Sequence, residues 1–359
     1  MINNSKNILN YMFGKGAIEN LGSILNNKKS ENNYVVYYID EYFEKSELIS
    51  KLPIKDNDEI FFVQTKDEPK TQFINKYRDI LVEKNKNNPK AIVAIGGGIT
   101  LDTGKAVSNL LTNEGNAEDY QGWNLVKNPG IYKIGIPTIS GTGAEGSRTC
   151  VMTNAKSGLK LGMNSDFTIY DQLILDPDLT KSVPREQYFY TGMDTYLHCI
   201  ESLNGEFRNA IGDAYSRQAI ELCRDVFMSD DMMSDENREK LMIASYFGGC
   251  AIANSFVGVI HPFSAGLSVV LDTHHCIGNC ITMNAMEEFY PKEYKEFKEM
   301  AQKQGIEIPK GIAANLDDET YLKLYNSTVI HEKPLSNALG ANFKNMLTLE
   351  KATEIFKRM

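Results

Sequence analysis

The sequence has few of the features that mark a nucleic-acid-binding, membrane or secreted protein. Its 38 basic residues are outnumbered by 47 acidic ones, and the net charge of −9 argues against a phosphate-backbone partner. No apolar run approaches the roughly 20 residues that a membrane-spanning helix needs. The six cysteines form no C-x-x-C pair, which argues against a disulfide framework. The N-terminal segment lacks the apolar stretch of an export signal, so we expect a cytoplasmic protein with reduced thiols.

What the chain does have is the length and composition of a soluble protein with two domains. Its 359 residues exceed what one small core organises, and 42% are hydrophobic while 24% are charged. In the first half, amphipathic helical segments alternate with five runs typical of buried strands: residues 33–40, 59–65, 91–97, 132–138 and 172–177. This alternation predicts a parallel sheet flanked by helices.

From Tyr188 onward the pattern becomes helical. Long helical runs occur at 216–228, 238–271 and 292–304, with few strand-like segments between them. We therefore predict a Rossmann-like α/β dinucleotide-binding domain over residues 1–183. An all-α domain is predicted over residues 184–359.

Two glycine-rich turns follow predicted strands. The first, at 96–98, precedes a helical segment predicted at 102–113, so Asp102 is expected in that helix's first turn. Glycines let the backbone approach a ligand closely, and a helix N-terminus attracts phosphate, although a tight turn without a ligand is the alternative. The second turn, GIPTISGTGAEGS at 135–147, follows the next strand. Because parallel strands end at one sheet edge, the two turns predict a dinucleotide site there.

Asp40 stands at the end of the early strand YVVYYID. A carboxylate in that place accepts hydrogen bonds from an adenosine ribose and repels a 2′-phosphate, which favours NAD over NADP. On sequence alone, an N-cap for the segment that starts at Glu41 fits equally well.

Four of the chain's five histidines lie between residues 198 and 275, within the predicted helical domain. Asp194 and His198 are spaced i, i+4 in a segment without helix breakers, so they share one helix face. Alone, such a pair is more often a structural hydrogen bond than a metal site. His261 lies in a strongly apolar segment, where an imidazole without a partner is costly, and this raises the probability of a metal site.

A cation shared by His261 and His275 requires the chain to turn between them. On a continuous helix their 14-residue separation spans about 21 Å, far beyond two metal–nitrogen bonds of about 2 Å each. The segment LDTHHCIGN offers a turn, with 272–273 and then 278–279 ending the apolar run. Three imidazoles and a carboxylate suit Fe²⁺ or Zn²⁺ rather than Ca²⁺ or Mg²⁺.

Several segments, taken in order, resemble the iron-containing (group III) alcohol dehydrogenases over nearly the whole chain. They are FGKGAIENLG, GGGITLDTGKA, PTISGTGAE, LILDPDLT and TGMDTYLHCIES. The second is similar to the family's G-G-G-S-x-x-D-x-x-K pattern and the last to its G-x-D-x-x-x-H-x-x-E helix. The resemblance implies a two-domain architecture like that of dehydroquinate synthase, metal-assisted hydride transfer from an alcohol to NAD(P), with NAD favoured, and a homodimer.

The resemblance also implies roles for individual residues. The metal ligands would be Asp194, His198, His261 and His275, with His274 as a rival ligand or a proton carrier. The dinucleotide site would be lined by Asp40, Gly97, Gly98, Asp102, Thr138, Thr142, Lys160 and Leu179. His331 is expected in a surface loop without a role.

Three positions depart from the family pattern. Ile99 replaces the usual serine after the glycines and removes one hydrogen bond to a phosphate. Lys70 stands where asparagine is common. The segment 274–276, His-His-Cys, replaces Pro-His-Gly, and the spacing from His261 favours His275 as the ligand.

A smaller set of segments resembles family members that oxidise the terminal alcohol of an eight-carbon sugar acid: EDYQGWNLV, IGIPTISGTGAEGSRT, LGMNSDFTIYDQ and HHCIGNC. Such a substrate carries a carboxylate, and Arg148 is a candidate to bind it because a guanidinium binds carboxylates bidentately. Pairing of Arg148 with Glu145 or Asp166 is the alternative. Gln121 and Trp123 are candidates for another wall of the pocket.

Other functions stay open at this point. They are an alcohol dehydrogenase acting on another primary alcohol or polyol, an oxidase that passes electrons to O₂ through iron, a lyase or cyclase of the dehydroquinate synthase type, and a non-catalytic nucleotide-binding protein. Only the dehydrogenases would produce NADH on turnover.

Overall fold

A computed structural model describes residues 6–26, 28, 33–66, 68–84 and 87–359. Contacts between residues divide the chain into two compact units. The first contains Met1–Ile139 and Gly143–Ser182, and the second contains Ser140–Thr142 and Val183–Met359.

The first unit is built on a six-stranded sheet in which every neighbouring pair is parallel. In spatial order the strands are β1 (Asn10–Phe13), β9 (Gln172–Leu175), β6 (Lys133–Pro137), β4 (Ala91–Gly96), β2 (Val35–Asp40) and β3 (Glu59–Val63). The central strands β4 and β6 are buried along their whole length and are apolar except for Lys133, which begins β6. Such runs are typical of parallel strands covered on both faces. All five predicted strands are present, and the predicted parallel sheet is confirmed.

Among the described residues of the first unit, the α-helices are α1 (Leu21–Asn26), α2 (Glu47–Lys51), α3 (Thr71–Lys84) and α4 (Gly98–Leu110). The helix predicted at 102–113 begins earlier, at Gly98, directly after the extended N-cap Gly97. The expectation that Asp102 lies in the first turn is therefore wrong, because it is the fifth residue of α4. Its carboxylate instead accepts a hydrogen bond of 2.9 Å from the backbone N–H of Val151.

A small second sheet in the first unit was not predicted. Its strands are β5 (Gly122–Trp123), β8 (Lys160–Asn164) and β7 (Thr149–Thr153), with β7 and β8 antiparallel. The Gln121 side chain holds this sheet, since Nε2 donates to the carbonyls of Met152 at 2.8 Å and Leu161 at 3.1 Å.

The second unit consists of helices joined by loops, with no strand among its described residues, as predicted. Its helices are α5 (Arg185–Leu203), α6 (Ala210–Phe227), α7 (Asp235–Ser255), α8 (Ile260–Leu271), α9 (His275–Met283), α10 (Pro291–Gln304), α11 (Asp318–Val329), α12 (Glu332–Leu339), α13 (Phe343–Met346) and α14 (Leu349–Phe356). One buried apolar cluster organises them. In α5 every residue from Tyr188 to Ser202 is buried, and the apolar ones among them belong to this cluster.

The apolar run 238–271, predicted as continuous helix, is broken between α7 and α8. Phe256 ends α7 with φ of 62°, a conformation that side chains rarely adopt. The Asn337 amide stabilises the break by donating to the carbonyls of Ser255 at 3.0 Å and Val257 at 2.9 Å. Among the described residues, no single helix is long and apolar enough to span a membrane. Within the described part of the chain, α7 and α8 taken as a pair have the required length and apolar composition, but their axes are bent by 104° at the break between them.

The predicted turn after Leu271 is present. Helix α8 ends there, Asp272 adopts a left-handed conformation with φ of 53°, and α9 begins at His275. The expectation that Gly278 and Asn279 end the apolar run is wrong, because both lie inside α9. Gly278 packs closely against α8, since a Cβ there would lie 2.9 Å from Ser264 Oγ.

Candidate metal centre

Helix α5 places three polar side chains on one buried face. Asp194, His198 and Glu201 follow at i, i+4 and i+7, so they lie above one another along two turns. Asp194 is fully buried, and Glu201 and His198 are at most 4% exposed. Burying such groups is costly unless they are paired with each other or with a cation.

Two further histidines reach this face from α8 and α9. His261 Nε2 lies 3.1 Å from Asp194 Oδ1, and His275 Nε2 lies 3.7 Å from Asp194 Oδ2. These three residues offer ligand atoms that all lie within 4.8 Å of one another. His198 Nε2 lies 3.5 Å from Asp194 Oδ1, and its ring stacks on that of His261 at a centroid distance of 4.5 Å. The structure thus brings together all four residues proposed as metal ligands.

Burial and the neighbouring charges together set the pKa values of the side chains in the centre. Burial alone would raise the pKa of Asp194, but the imidazoles of His198, His275 and His261 outweigh it and hold that pKa below its ordinary value. Burial lowers the pKa of His198 to about 4 against the pull of Asp194. Burial also opposes a charge on His261, but the carboxylates of Glu201 and Asp194 outweigh it and raise its pKa to about 9.

Glu201 is a residue of the centre to which the sequence reasoning gave no role. Its Oε2 pairs with His261 Nδ1, and its Oε1 accepts a hydrogen bond of 2.5 Å from the backbone N–H of Ile260. The sequence spacing could have indicated this role, because Glu201 stands seven residues after Asp194 and therefore lies on the same helix face. A carboxylate behind a histidine fixes the tautomer that presents Nε2 to a cation.

The donor set fits a divalent transition metal. Imidazole nitrogens with one carboxylate are the ligands that Fe²⁺ and Zn²⁺ prefer. His261 stands between two carboxylates, and a cation can replace the proton on its Nε2. Two carboxylates and neutral imidazoles also balance a charge of +2, which suits a buried site.

In the first unit, four of the proposed dinucleotide residues stand at the carboxyl edge of the sheet: Asp40, Gly97, Gly98 and Thr138. Asp40 ends β2, Gly97 follows β4, and Thr138 follows β6, with Thr138 N–H donating to the carbonyl of Gly96 at 3.1 Å. Strands β2, β4 and β6 are adjacent, and the chain order reverses between β2 and β4. Ligands of open α/β sheets bind at such a point. Gly98 opens α4 there, where helix N–H groups favour phosphate.

The other four proposed dinucleotide residues either pair with another group of the protein or lie elsewhere in the fold. Burial raises the pKa of Asp102 to about 6, although Lys105 and the N–H of Val151 lower it. Lys160 Nζ pairs with Glu68 at 2.6 Å. Leu179 packs against the sheet core, and Thr142 belongs to the second unit.

Asp40 also serves as the N-cap that the sequence allowed. Its Oδ1 accepts a hydrogen bond of 3.0 Å from the backbone N–H of Tyr42 and lies 3.4 Å from the Thr65 hydroxyl. Burial raises the pKa of Asp40, although both hydrogen bonds lower it. A cap of this kind leaves the second carboxylate oxygen for a ribose hydroxyl.

The residues proposed for substrate binding are held by neighbours within the first unit. Arg148 pairs with Asp166 at 3.2 Å, which is one of the two pairings that the sequence left open. It also donates to Asn124 Oδ1 at 2.5 Å. Gln121 uses its carboxamide in the small sheet, and its Oε1 accepts from Asn154 at 2.8 Å. Trp123 is 37% exposed.

The remaining histidines lie outside the ligand cluster. His274 is exposed and occupies the N-cap of α9, so His275 is the member of the pair that reaches Asp194. His331 occupies the N-cap of α12 between two helices.

Two sequence profiles of one family match the chain. The profile of the iron-containing alcohol dehydrogenases matches residues 9–177, and that of the family's C-terminal part matches residues 188–329. Sulfoacetaldehyde reductase of Bilophila wadsworthia is 37% identical over 51% of this chain, but the match spans only 48% of that enzyme. NAD-dependent methanol dehydrogenase of Bacillus methanolicus is 27% identical over 76% of this chain and 72% of its own length.

Solved structures share the fold over nearly the whole chain. A 1,3-propanediol oxidoreductase superposes with a TM-score of 0.85 at 20% identity, covering 99% of both chains. Sulfoacetaldehyde reductase from Bifidobacterium kashiwanohense, solved with NAD⁺, superposes with a TM-score of 0.78 at 22% identity, covering 99% of this chain and 98% of that one.

Proposed function

We propose that this chain, which belongs to the iron-containing alcohol dehydrogenase family, is a metal- and NAD-dependent oxidoreductase that interconverts an alcohol and its aldehyde. The observation that carries the proposal is the convergence of three imidazoles on the buried carboxylate of Asp194, with Glu201 behind His261. In this proposal residues 1–183 bind the dinucleotide, and residues 184–359 hold Fe²⁺ or Zn²⁺.

In this proposal individual residues have the following roles. Asp194, His198, His261 and His275 would hold the cation, which supplies Lewis acidity toward an alcohol oxygen. Glu201 would keep His261 in the tautomer that presents Nε2 to the centre. The glycine turn after β4 would orient the dinucleotide for hydride transfer. His274, exposed at the start of α9, is our candidate to carry the hydroxyl proton to solvent.

For the substrate we propose 3-deoxy-D-manno-octulosonate, oxidised at C8 to an aldehyde on the way to an 8-amino sugar acid of lipopolysaccharide. The support is the set of segments that resemble enzymes of this reaction, including HHCIGNC, which contains the ligand His275. Arg148 would bind the substrate carboxylate by exchanging its present partner Asp166. Gln121 and Trp123 would form part of the surrounding wall.

A small anionic aldehyde is the second candidate substrate. The 37% identity to a sulfoacetaldehyde reductase favours it, and a sulfonate offers Arg148 the same kind of partner as a carboxylate. The enzyme would then run as a reductase that consumes NADH.

The test is an assay of the full chain loaded with Fe²⁺ or with Zn²⁺. The sugar acid, 1,3-propanediol and methanol are offered with NAD⁺ and then with NADP⁺, and sulfoacetaldehyde is offered with NADH. We expect NADH to form fastest with the sugar acid. His261→Ala should abolish activity and lower bound metal, whereas the control His331→Gln should keep both.

Three results would contradict the proposal. Full activity of the metal-stripped protein would exclude a metal-dependent reaction. Peroxide formation in place of NADH would indicate an oxidase. Product formation without any change in NADH would indicate a lyase or cyclase.

A further inference from the structure

Asn279 lies within the ligand cluster although neither its residue type nor its position marked it as a ligand. It is fully buried on α9, four residues after His275 and therefore on the same helix face. Its Nδ2 lies 2.7 Å from Asp194 Oδ1, 3.3 Å from His275 Nε2 and 3.4 Å from His261 Nε2. The end of one carboxamide thus faces three of the four proposed ligands.

These distances match those between donor atoms around a single cation. For metal–ligand bonds of about 2.1 Å, neighbouring donor atoms stand about 3.0 Å apart in octahedral geometry and about 3.4 Å apart in tetrahedral geometry. The carboxamide end of Asn279 therefore occupies the place of a further donor atom. A residue that only supported the cluster from outside would approach one ligand and not three.

The carboxamide of Asn279 can present its NH₂ group to the centre without a cation and its carbonyl oxygen to the centre with one. The Nδ2 group is a donor and pairs with lone pairs on Asp194 Oδ1 and, at 3.3 Å, on His275 Nε2. Once a cation takes those lone pairs, the same N–H groups are repelled by its charge, whereas a carbonyl oxygen is attracted. Oδ1 is buried and has no hydrogen-bond partner among the described residues, so a half-turn of the amide costs it no bond.

We propose that Asn279 is a further ligand of the metal centre and binds the cation through its carboxamide oxygen. The inference deepens the proposed function and rests on its cation site. A neutral oxygen donor added to three nitrogens and one carboxylate raises the coordination number without changing the net charge. Oxygen donors and higher coordination numbers favour Fe²⁺ relative to Zn²⁺, which prefers four ligands.

The experiment compares metal affinity in matched variants of the full chain. Dissociation constants for Zn²⁺ and Co²⁺ are measured by competition with a chromophoric chelator at mildly alkaline pH. Asn279→Ala should weaken binding about 10- to 100-fold, as loss of a group at a metal centre does. Asn279→Asp keeps the shape and supplies a charged oxygen, so it should bind about tenfold more tightly than wild type, a gain of about 1.4 kcal/mol. Asn254→Asp, which adds a carboxylate elsewhere in the second unit, should leave affinity unchanged.

The visible spectrum of the Co²⁺ protein gives an independent readout of coordination number. Four-coordinate Co²⁺ absorbs more strongly than five- or six-coordinate Co²⁺, so Asn279→Ala should absorb more strongly than wild type. If Asn279 only positions Asp194 through its N–H, Asn279→Ala should weaken binding without intensifying the Co²⁺ spectrum. That pattern would overturn the assignment and leave the proposed function intact. Wild-type protein that takes up no cation would overturn both.

Discussion

His261 stands between two buried carboxylates, with Glu201 at Nδ1 and Asp194 at Nε2. Both contacts favour a charged ring, and they raise its pKa to about 9 against the effect of burial. A metal ion needs the neutral ring, because it binds through the lone pair that the Nε2 proton otherwise occupies. Proton and cation therefore compete for one nitrogen atom.

This competition predicts that stability responds to pH in opposite directions with and without metal. In chelator, a folded pKa of about 9 against an ordinary value of 6.5 gives stability that is fully present below pH 6.5 and lost as pH rises to about 9. The change amounts to about 3 kcal/mol at most. With saturating Zn²⁺, stability should instead rise over this window, because fewer protons compete with the metal. Urea midpoints measured by circular dichroism across the window check both trends.

Two substitutions show whether His261 is the group responsible. His261→Gln removes the titrating ring, so the pH dependence in chelator should become flat. His331→Gln removes a histidine outside the cluster and should keep the wild-type curve. A wild-type pH dependence in His261→Gln would assign the effect to another group.

The second glycine-rich turn shows how one residue type permits a close approach between elements. Gly141 has φ of 148°, and a Cβ there would lie 1.6 Å from the backbone oxygen of Thr191 on α5. Its N–H donates to Ser245 Oγ at 2.8 Å, and its carbonyl accepts from Thr195 Oγ1 at 2.7 Å. Residues 140–142 of this turn, which belong to the second unit, are thus anchored to the helix that carries Asp194.

Gly141→Ala should therefore destabilise the second unit severely. The clash involves backbone on both sides, so neither atom can move aside cheaply, and we expect a loss above about 4 kcal/mol in urea unfolding. Gly158→Ala is the matched control, because Gly158 has φ of 73° with open space around its Cβ position. That control isolates the backbone conformation and should cost only about 1–2 kcal/mol. Equal effects of the two substitutions would show that the contact with Thr191 is unimportant.

Across the chain, the structural features that depend only on residues close together in sequence could be predicted. The strands β2, β4 and β6 consist mainly of β-branched and other apolar residues, as is typical of buried parallel strands. The reversal after Leu271 could be predicted because helix geometry forbids His261 and His275 from sharing a cation without it. Both arguments use distances along the chain alone.

What could not be predicted depends on partners remote in sequence. The break at Phe256 is stabilised by Asn337, some eighty residues later, and nothing in the local run marks it. The small sheet was missed because β5 has two residues and β8 contains glycine and asparagine, so neither shows a strand pattern. Asn279 resembles an ordinary helix residue until α8 and α5 are packed against it.

If residues 184–359 bind the cation and residues 1–183 bind the dinucleotide, each ligand should stabilise a different part of the chain. A ligand that binds only the folded form at 100 times its dissociation constant stabilises it by about 2.7 kcal/mol, which slows hydrogen exchange through unfolding about 100-fold. Zn²⁺ should slow exchange chiefly in α5, α8 and α9. NAD⁺ should slow it chiefly in the turn at 96–98 and in α4.

Hydrogen-exchange mass spectrometry with Zn²⁺, with NAD⁺ and with neither checks this assignment. His261→Gln provides the control for the metal, since it should remove the protection of α5 while leaving the NAD⁺ effect unchanged. Protection of β4 and α4 by Zn²⁺ as strong as that of α5 would contradict the assignment of the cation to residues 184–359. Protection of α5 rather than α4 by NAD⁺ would contradict the assignment of the dinucleotide to residues 1–183, and the sheet edge formed by Asp40, Gly97 and Thr138 would then need another ligand.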